Sequence, residues 1–295
     1  MVTLEEPSLR VTRRSVSVRC LYLCMAVLIA AAMPGLGQVD AKKKKSKAAP
    51  PRAATPAEQE AVQRLLVIPE AADGVIRLPL RFVILRNLPV TVKGVKLGSW
   101  VTSNHLAQVV VPELNRIWRI ARIEWALESV VDQSIGVADA AAKQSDMQAI
   151  LKSPATDESG EKSGRNDLIR TFFDPALAHP VAHTIHLFPY HGPMGQGFAV
   201  LGGNVAYLCE WTDRPSRGTR PPQRMLLTEP PPFAIGSLGR TCAHEAGHLL
   251  KLVHATEPGR LMGGPKRDYA LVETEITTAR ETALQRARRI QEWVK

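Results

Sequence analysis

Between residues 241 and 254 the chain reads TCAHEAGHLLKLVH, and this stretch limits the fold more than any other. His244 and His248 stand four apart, so on a helix both imidazoles lie on one face, about one turn from each other. Two imidazoles so placed can reach one ion. Zinc suits imidazole nitrogens in a three-ligand site that keeps an open position. Glu245 sits beside the first histidine, where it can take a proton from a water at the metal. The pattern H-E-x-x-H also arises by chance in helices rich in Ala, Leu, Glu and His, so the residues beyond it carry weight.

His254 lies six positions past His248. On a straight helix that is about 9 Å further along the axis, and His254 is rotated by roughly 80° from His244. Zinc–nitrogen bonds of about 2.0–2.1 Å leave no slack for this. If His254 is a ligand, the helix must stop soon after His248 and the chain must turn back. If the helix continues, the third ligand is a downstream carboxylate, with Glu273 and Glu275 as candidates at the start of the last helix. Acids there also stabilise a helix N-terminus with no ligand role.

The stretch resembles the signature of the metzincin metallopeptidases, H-E-x-x-H-x-x-G-x-x-H followed by a methionine-containing turn beneath the metal. It matches at His244, Glu245, His248 and His254, and Met262 follows eight residues later in LMG, where the Met-turn would fall. The segment EPGRLM is similar to the short link of matrixin-like members. The likeness is specific over residues 241–264 and covers roughly 75–295 as architecture. One position departs. Lys251 stands where the family has a glycine that ends the helix in a left-handed conformation, which costs a residue with a Cβ about 1–2 kcal/mol.

The resemblance implies an α+β fold: a twisted mixed sheet of about five strands packed on an active-site helix, with a Met-turn and a C-terminal helix. It implies one catalytic zinc ion on His244, His248 and His254, and Glu245 as general base in peptide-bond hydrolysis. A protein or peptide substrate would lie extended along an edge strand at 197–200. Two other readings stay open: a gluzincin-like peptidase with Glu273 as third ligand, and a non-catalytic zinc-binding or cell-envelope-associated domain on a peptidase scaffold. Further histidines, His179, His183, His186 and His191, do not match the structural zinc pattern of matrixins. His183 and His186 point to opposite faces of a strand.

The N-terminus reads as a targeting segment. Arg10, Arg13, Arg14 and Arg19 precede an uncharged apolar run over 21–33, then PGLG, which is the order of a cleavable signal ending near Gly37. The run is shorter than the ~20 residues of a membrane span, and an uncleaved anchor is the alternative. The expectation is therefore an exported protein, secreted or periplasmic. Residues 38–55 form a basic Ala/Pro/Lys linker, with Lys42, Lys43, Lys44, Lys45, Lys47 and Arg52 and only one acid, Asp40. That cluster accounts for most of the formal net charge of +10. It reads as a solvated linker with scope for weak contact to an anionic envelope. No basic stripe with interleaved aromatics is visible, which argues against a nucleic-acid partner.

The folded domain is expected over 56–295. The pattern predicts a helix at 56–68, a strand at 76–85, and a helix at 103–120 that Pro112 kinks or divides. Further strands follow at 122–131, 181–188, 197–200 and 204–209, and a last helix spans 273–294. Residues 139–164 read as a partly helical insertion and 167–173 as a short helix. Residues 211–240, with six prolines, read as a flap or insertion without a clear element. In an exported domain Cys209 and Cys242 are expected to pair, bracing the first turn of the active helix.

Overall fold

The computed structural model describes residues 52–92, 95–99, 101–152, 164–189, 197–209, 211–213, 224–226, 238–263 and 269–294. The expected signal segment 1–37, the linker up to residue 51, and His191 lie outside them. Among the described residues no helix is long and apolar enough to cross a membrane.

The scaffold is a six-stranded mixed sheet. Its centre is β1 (Ile76–Val92), whose 17 residues run well past the expected strand. Its alternation explains its place: Leu78, Leu80, Phe82 and Ile84 enter one core, Val83 and Leu85 the other. Apolar residues on both faces mark a strand covered on both sides. β3 (Ile123–Ser134) and β4 (His183–Phe188) flank β1 in parallel. β2 (Val95–Gly98), absent from the sequence reading, folds back on the end of β1 as an antiparallel hairpin. β6 (Val205–Cys209) lies parallel to β4, and β5 (Gly197–Ala199) closes the sheet as an antiparallel edge strand. The open side of β3 is covered at one point by a side chain. Asn115 donates to the carbonyl of Trp125 at 2.9 Å and accepts from its N–H at 2.7 Å, in place of a further strand.

The first core lies between the sheet and α3 (Val111–Trp118), α6 (Leu238–Leu249) and α7 (Glu273–Val294). The second, smaller core lies on the opposite face, under α4 (Ala140–Lys152) and α5 (Gly164–Arg170), with Met147, Ile150, Ile169, Phe172 and Phe173. The segment before α3 shows how Pro112 is accommodated. A short α2 (Ser103–His105) passes into a π-helical turn, Leu106–Val110, and the α-helix resumes with Pro112 in its first turn. A proline there loses no intrahelical bond, so the segment is divided and not broken.

α1 (Pro56–Leu65) begins with a capping box between Thr55 and Glu58. Glu58 also pairs with Arg52 and with the buried Arg81 of β1, which in turn pairs with Glu128 of β3. The cationic partners hold the Glu58 carboxyl well below the usual range. Within the Pro-rich region, Trp211–Asp213 (β7) and Arg224–Leu226 (β8) pair as a small antiparallel ribbon apart from the main sheet.

Candidate metal centre

The site is built on α6. Nearly all of this helix is buried, and it carries two glycines, Gly239 and Gly247, at positions where alanine would favour the helix by about 1 kcal/mol. Tertiary contacts explain both. A Cβ at Gly239 would collide with the buried Glu113, and a Cβ at Gly247 would stand 2.5 Å from the sulfur of Met262.

The helix stops after Leu249. Lys251 takes φ = 68°, the left-handed conformation anticipated for a glycine. Its N–H donates to the His248 carbonyl at 3.0 Å, and the Leu252 N–H donates to the Gly247 carbonyl at 2.8 Å. These are the two bonds of a Schellman ending. Leu252, buried against Gly247, supplies the apolar contact that goes with it. Burial of Leu252 and two satisfied carbonyls offset the strain at Lys251. The chain then reverses, and the Ala255 N–H reaches the Met262 carbonyl at 2.8 Å. Met262 is fully buried beneath the helix.

This reversal brings His254 back to the helix face. Its Nε2 stands 3.2 Å from that of His244 and 3.1 Å from that of His248. A tetrahedral ion with zinc–nitrogen bonds of about 2.0–2.1 Å holds its ligands about 3.3 Å apart, so this donor set fits zinc. The three histidines form a group that could hold a metal ion. The outer nitrogens orient two of the rings. Nδ1 of His244 faces the Leu261 carbonyl at 2.7 Å, and Nδ1 of His248 faces that of Leu252 at 2.8 Å. A carbonyl only accepts, so each Nδ1 carries the proton and each Nε2 turns a lone pair toward the common centre. The carbonyls that fix the rings thus come from the helix-ending turn and the Met262 segment.

Glu245 is 3% exposed and faces β5. A Cβ on Gly197 would stand 2.8 Å from its Oε1, so only glycine fits opposite this carboxylate. Next to His254, between the turn and the start of α7, opens a cavity of about 310 Å³ that Lys251, Arg260 and Thr274 help to line.

The structure departs from the expectations at two points. Glu273 is exposed and takes no part in the histidine group, and Glu275 is engaged with Arg260 at 2.9 Å and the Val272 N–H at 3.1 Å. The carboxylate alternative fails because the helix ends, which the periodicity alone did not require. Nor do Cys209 and Cys242 form a bridge. They are buried on opposite sides of the sheet, Cys209 at the end of β6 in the second core and Cys242 on α6 in the first. Burial, with the Glu113 and Glu245 carboxylates nearby, pushes the Cys242 thiol well above its ordinary pKa.

His179, His183 and His186 are buried core residues. His183 packs edge-on to Trp125, and His186 lies between Phe173 and Tyr207. Burial holds His183 and His186 down at about 3, with Arg286 adding to the effect at His183.

No family model and no curated protein matches the chain. Solved structures share parts of its outline. Archaemetzincin from Methanopyrus kandleri is 12% identical, over 73% of this chain and 98% of that one, with a TM-score of 0.39. A zinc-dependent peptidase from Methanocorpusculum labreanum is 16% identical, over 68% and 99%, with a TM-score of 0.34. A chain in a chaperone–substrate complex is 13% identical over 74% of this chain, with a TM-score of 0.37; this chain spans only 35% of its length. Likeness at this level assigns neither family nor activity.

Three glycines of the site escaped the sequence reading: Gly197, Gly202 and Gly247. For Gly247 the available signal was a glycine inside a buried helix, which marks close approach by another group.

Proposed function

We propose that the chain is an exported zinc-dependent endopeptidase, with one zinc ion on His244, His248 and His254 and Glu245 as general base. The observation that carries this reading is the convergence of three Nε2 atoms around one open position, beside a buried carboxylate and a sheet edge. A structural zinc site would close its fourth position and has no need of the carboxylate. Export rests on the charged and then apolar N-terminal sequence.

Bound zinc would supply Lewis acidity toward a water and toward a peptide carbonyl. The chain does the rest. An extended peptide adds to the edge of β5 that is unpaired among the described residues, which supplies backbone hydrogen bonds and aligns the scissile bond with the histidines. Glu245 accepts a proton from the attacking water and delivers it to the departing amine. Gly197, lacking a Cβ, leaves the space on the strand side that this carboxylate occupies. The carbonyls of Leu261 and Leu252 keep the His244 and His248 imidazoles from turning.

The test compares wild type with Glu245→Gln on unfolded casein and on a mixed peptide library, with zinc content measured in both. Cleavage by the wild type that drops at least ~10³-fold in the variant, at one zinc per chain in each, is the expected result. A zinc-loaded wild type that cleaves nothing would establish the binding-domain reading instead.

A further inference from the structure

β5 has three residues and hydrogen-bonded pairing only to β6 among the described residues, too little to hold an edge strand in one position. Three attachments beyond the backbone ladder fix it. At its start, Gly197 abuts Glu245. In its middle, Phe198 stacks on Tyr207 with ring centroids 4.9 Å apart, and the Arg170 guanidinium lies over both rings. Past its end, the chain reverses in a tight turn closed by the Gly203 N–H on the Val200 carbonyl at 2.8 Å.

That turn is tied in two directions through one residue. The Gly202 N–H donates to the carbonyl of His248 at 2.8 Å. The guanidinium of Arg286, from the middle of α7, donates to the carbonyls of Gly202 and of Gly203, the latter at 3.1 Å. Gly202 has φ = 66°, and a Cβ on it would meet the Lys251 stem at 3.0 Å. The carbonyl of His248 therefore receives two N–H groups, that of Lys251 ending the helix and that of Gly202 carrying the strand. Arg286 is half-buried, and a single terminal nitrogen, Nη2, serves both adjacent carbonyls.

We infer that Arg286 is a positioning residue: through Gly202 it fixes the edge strand β5 against the helix that bears His244, Glu245 and His248, and so sets the gap that a peptide enters. The inference rests on the peptidase reading for its effect on substrate, but not for the strap itself. Removing the guanidinium leaves the histidines and their carbonyl partners in place, so zinc stays bound while β5 loosens. Peptide recognition then weakens more than the chemical step.

The experiment uses the zinc-loaded protein and Arg286→Met, with Arg280→Met as control. Arg280 lies on the same helix, but its guanidinium serves the carbonyls of Ala72, Gly74, Ala121 and Arg122, away from β5. Hydrogen–deuterium exchange over 197–203 is expected to accelerate at least tenfold in Arg286→Met and to stay at the wild-type rate in Arg280→Met, with one zinc per chain in both. With a cleaved peptide, Arg286→Met is expected to raise KM about tenfold and change kcat less than threefold, with partial recovery in Arg286→Lys. Unchanged exchange over 197–203 would overturn the strap, and faster exchange with an unchanged KM would overturn its role toward substrate. Absence of cleavage by the wild type would count against the peptidase reading alone, since exchange still decides the strap. If Arg286→Met does not fold, Gly202→Ala strains the same turn from the other side. It must then show the same faster exchange, and wild-type exchange in that variant refutes the inference.

Discussion

The sulfur of Met262 lies 2.5 Å from the point that a Cβ on Gly247 would occupy. The methionine beneath the histidines and the glycine within the motif are thus one packing unit. Alanine at 247 would favour the helix by about 1 kcal/mol, yet it drives a methyl group into a fully buried thioether. Gly247→Ala is therefore expected to destabilise the fold by about 1–3 kcal/mol net and to weaken zinc binding. Met262→Ala in the same chain should recover part of the loss. Thermal melts of the four chains in a double-mutant cycle check this; a higher Tm for Gly247→Ala alone would show that the contact is slack.

Lys251 holds a left-handed conformation that favours glycine. Lys251→Gly removes a penalty of about 1–2 kcal/mol and adds unfolded-chain entropy of about 0.5–1 kcal/mol, so the net gain is up to about 1.5 kcal/mol. Lys251→Ala keeps the Cβ and should show no gain. Urea denaturation of both variants decides the matter, and a Lys251→Gly chain less stable than Lys251→Ala by the entropy cost would mean that the turn carries no strain.

Gly197 has no Cβ because the Glu245 carboxylate occupies the space. Gly197→Ala is expected to push that carboxylate aside by a fraction of an ångström to an ångström. The expected effect is a fall in kcat of about 10–100-fold with zinc content still at one per chain. Loss of zinc together with activity would place the fault in the histidine group and not at Glu245.

Three buried histidines make the fold sensitive to acid. His183 and His186 are depressed to about 3 and His179 to about 4, each mainly by burial. Their unfolded values lie near 6.5, so below that pH the unfolded chain binds more protons than the folded one. Their contribution is complete above about pH 6.5 and is lost as pH falls toward 3–4. The rate is roughly 1.4 kcal/mol per histidine per pH unit. Urea melts of the metal-free protein between pH 7.5 and 5 should show this decline. His186→Phe should reduce its slope by about one histidine's share, and an unchanged slope would contradict the assignment to His186.

Much of the frame was legible because it is written in local periodicity. Helical spacing gave α7 its bounds, and alternation marked β3, β4 and β6 to within a few residues. The hairpin strand β2 was missed, since its alternation of Val95 and Leu97 with Lys96 and Gly98 runs for only four residues, too few to stand out as a strand. The two cysteines were read as partners because an exported domain commonly pairs its thiols, and the sequence does not show that β6 and α6 bury them on opposite sides of the sheet.

The residues of one turn determined by themselves that His244 and His248 share a helix face, since that follows from 3.6 residues per turn and nothing else. The third nitrogen was decided elsewhere. Whether His254 or Glu273 joins the pair depends on where the helix stops, and it stops because Leu252 finds a place in the core beside Gly247 while Lys251 bears the strain. The same holds for the edge strand, whose place beside the site is set by Arg286, Gly202 and His248, residues far apart in the chain. Spacing along the backbone is a local property that any reader of the sequence can compute. Which buried groups meet across a core is settled only when the whole chain packs and each carbonyl finds its donor.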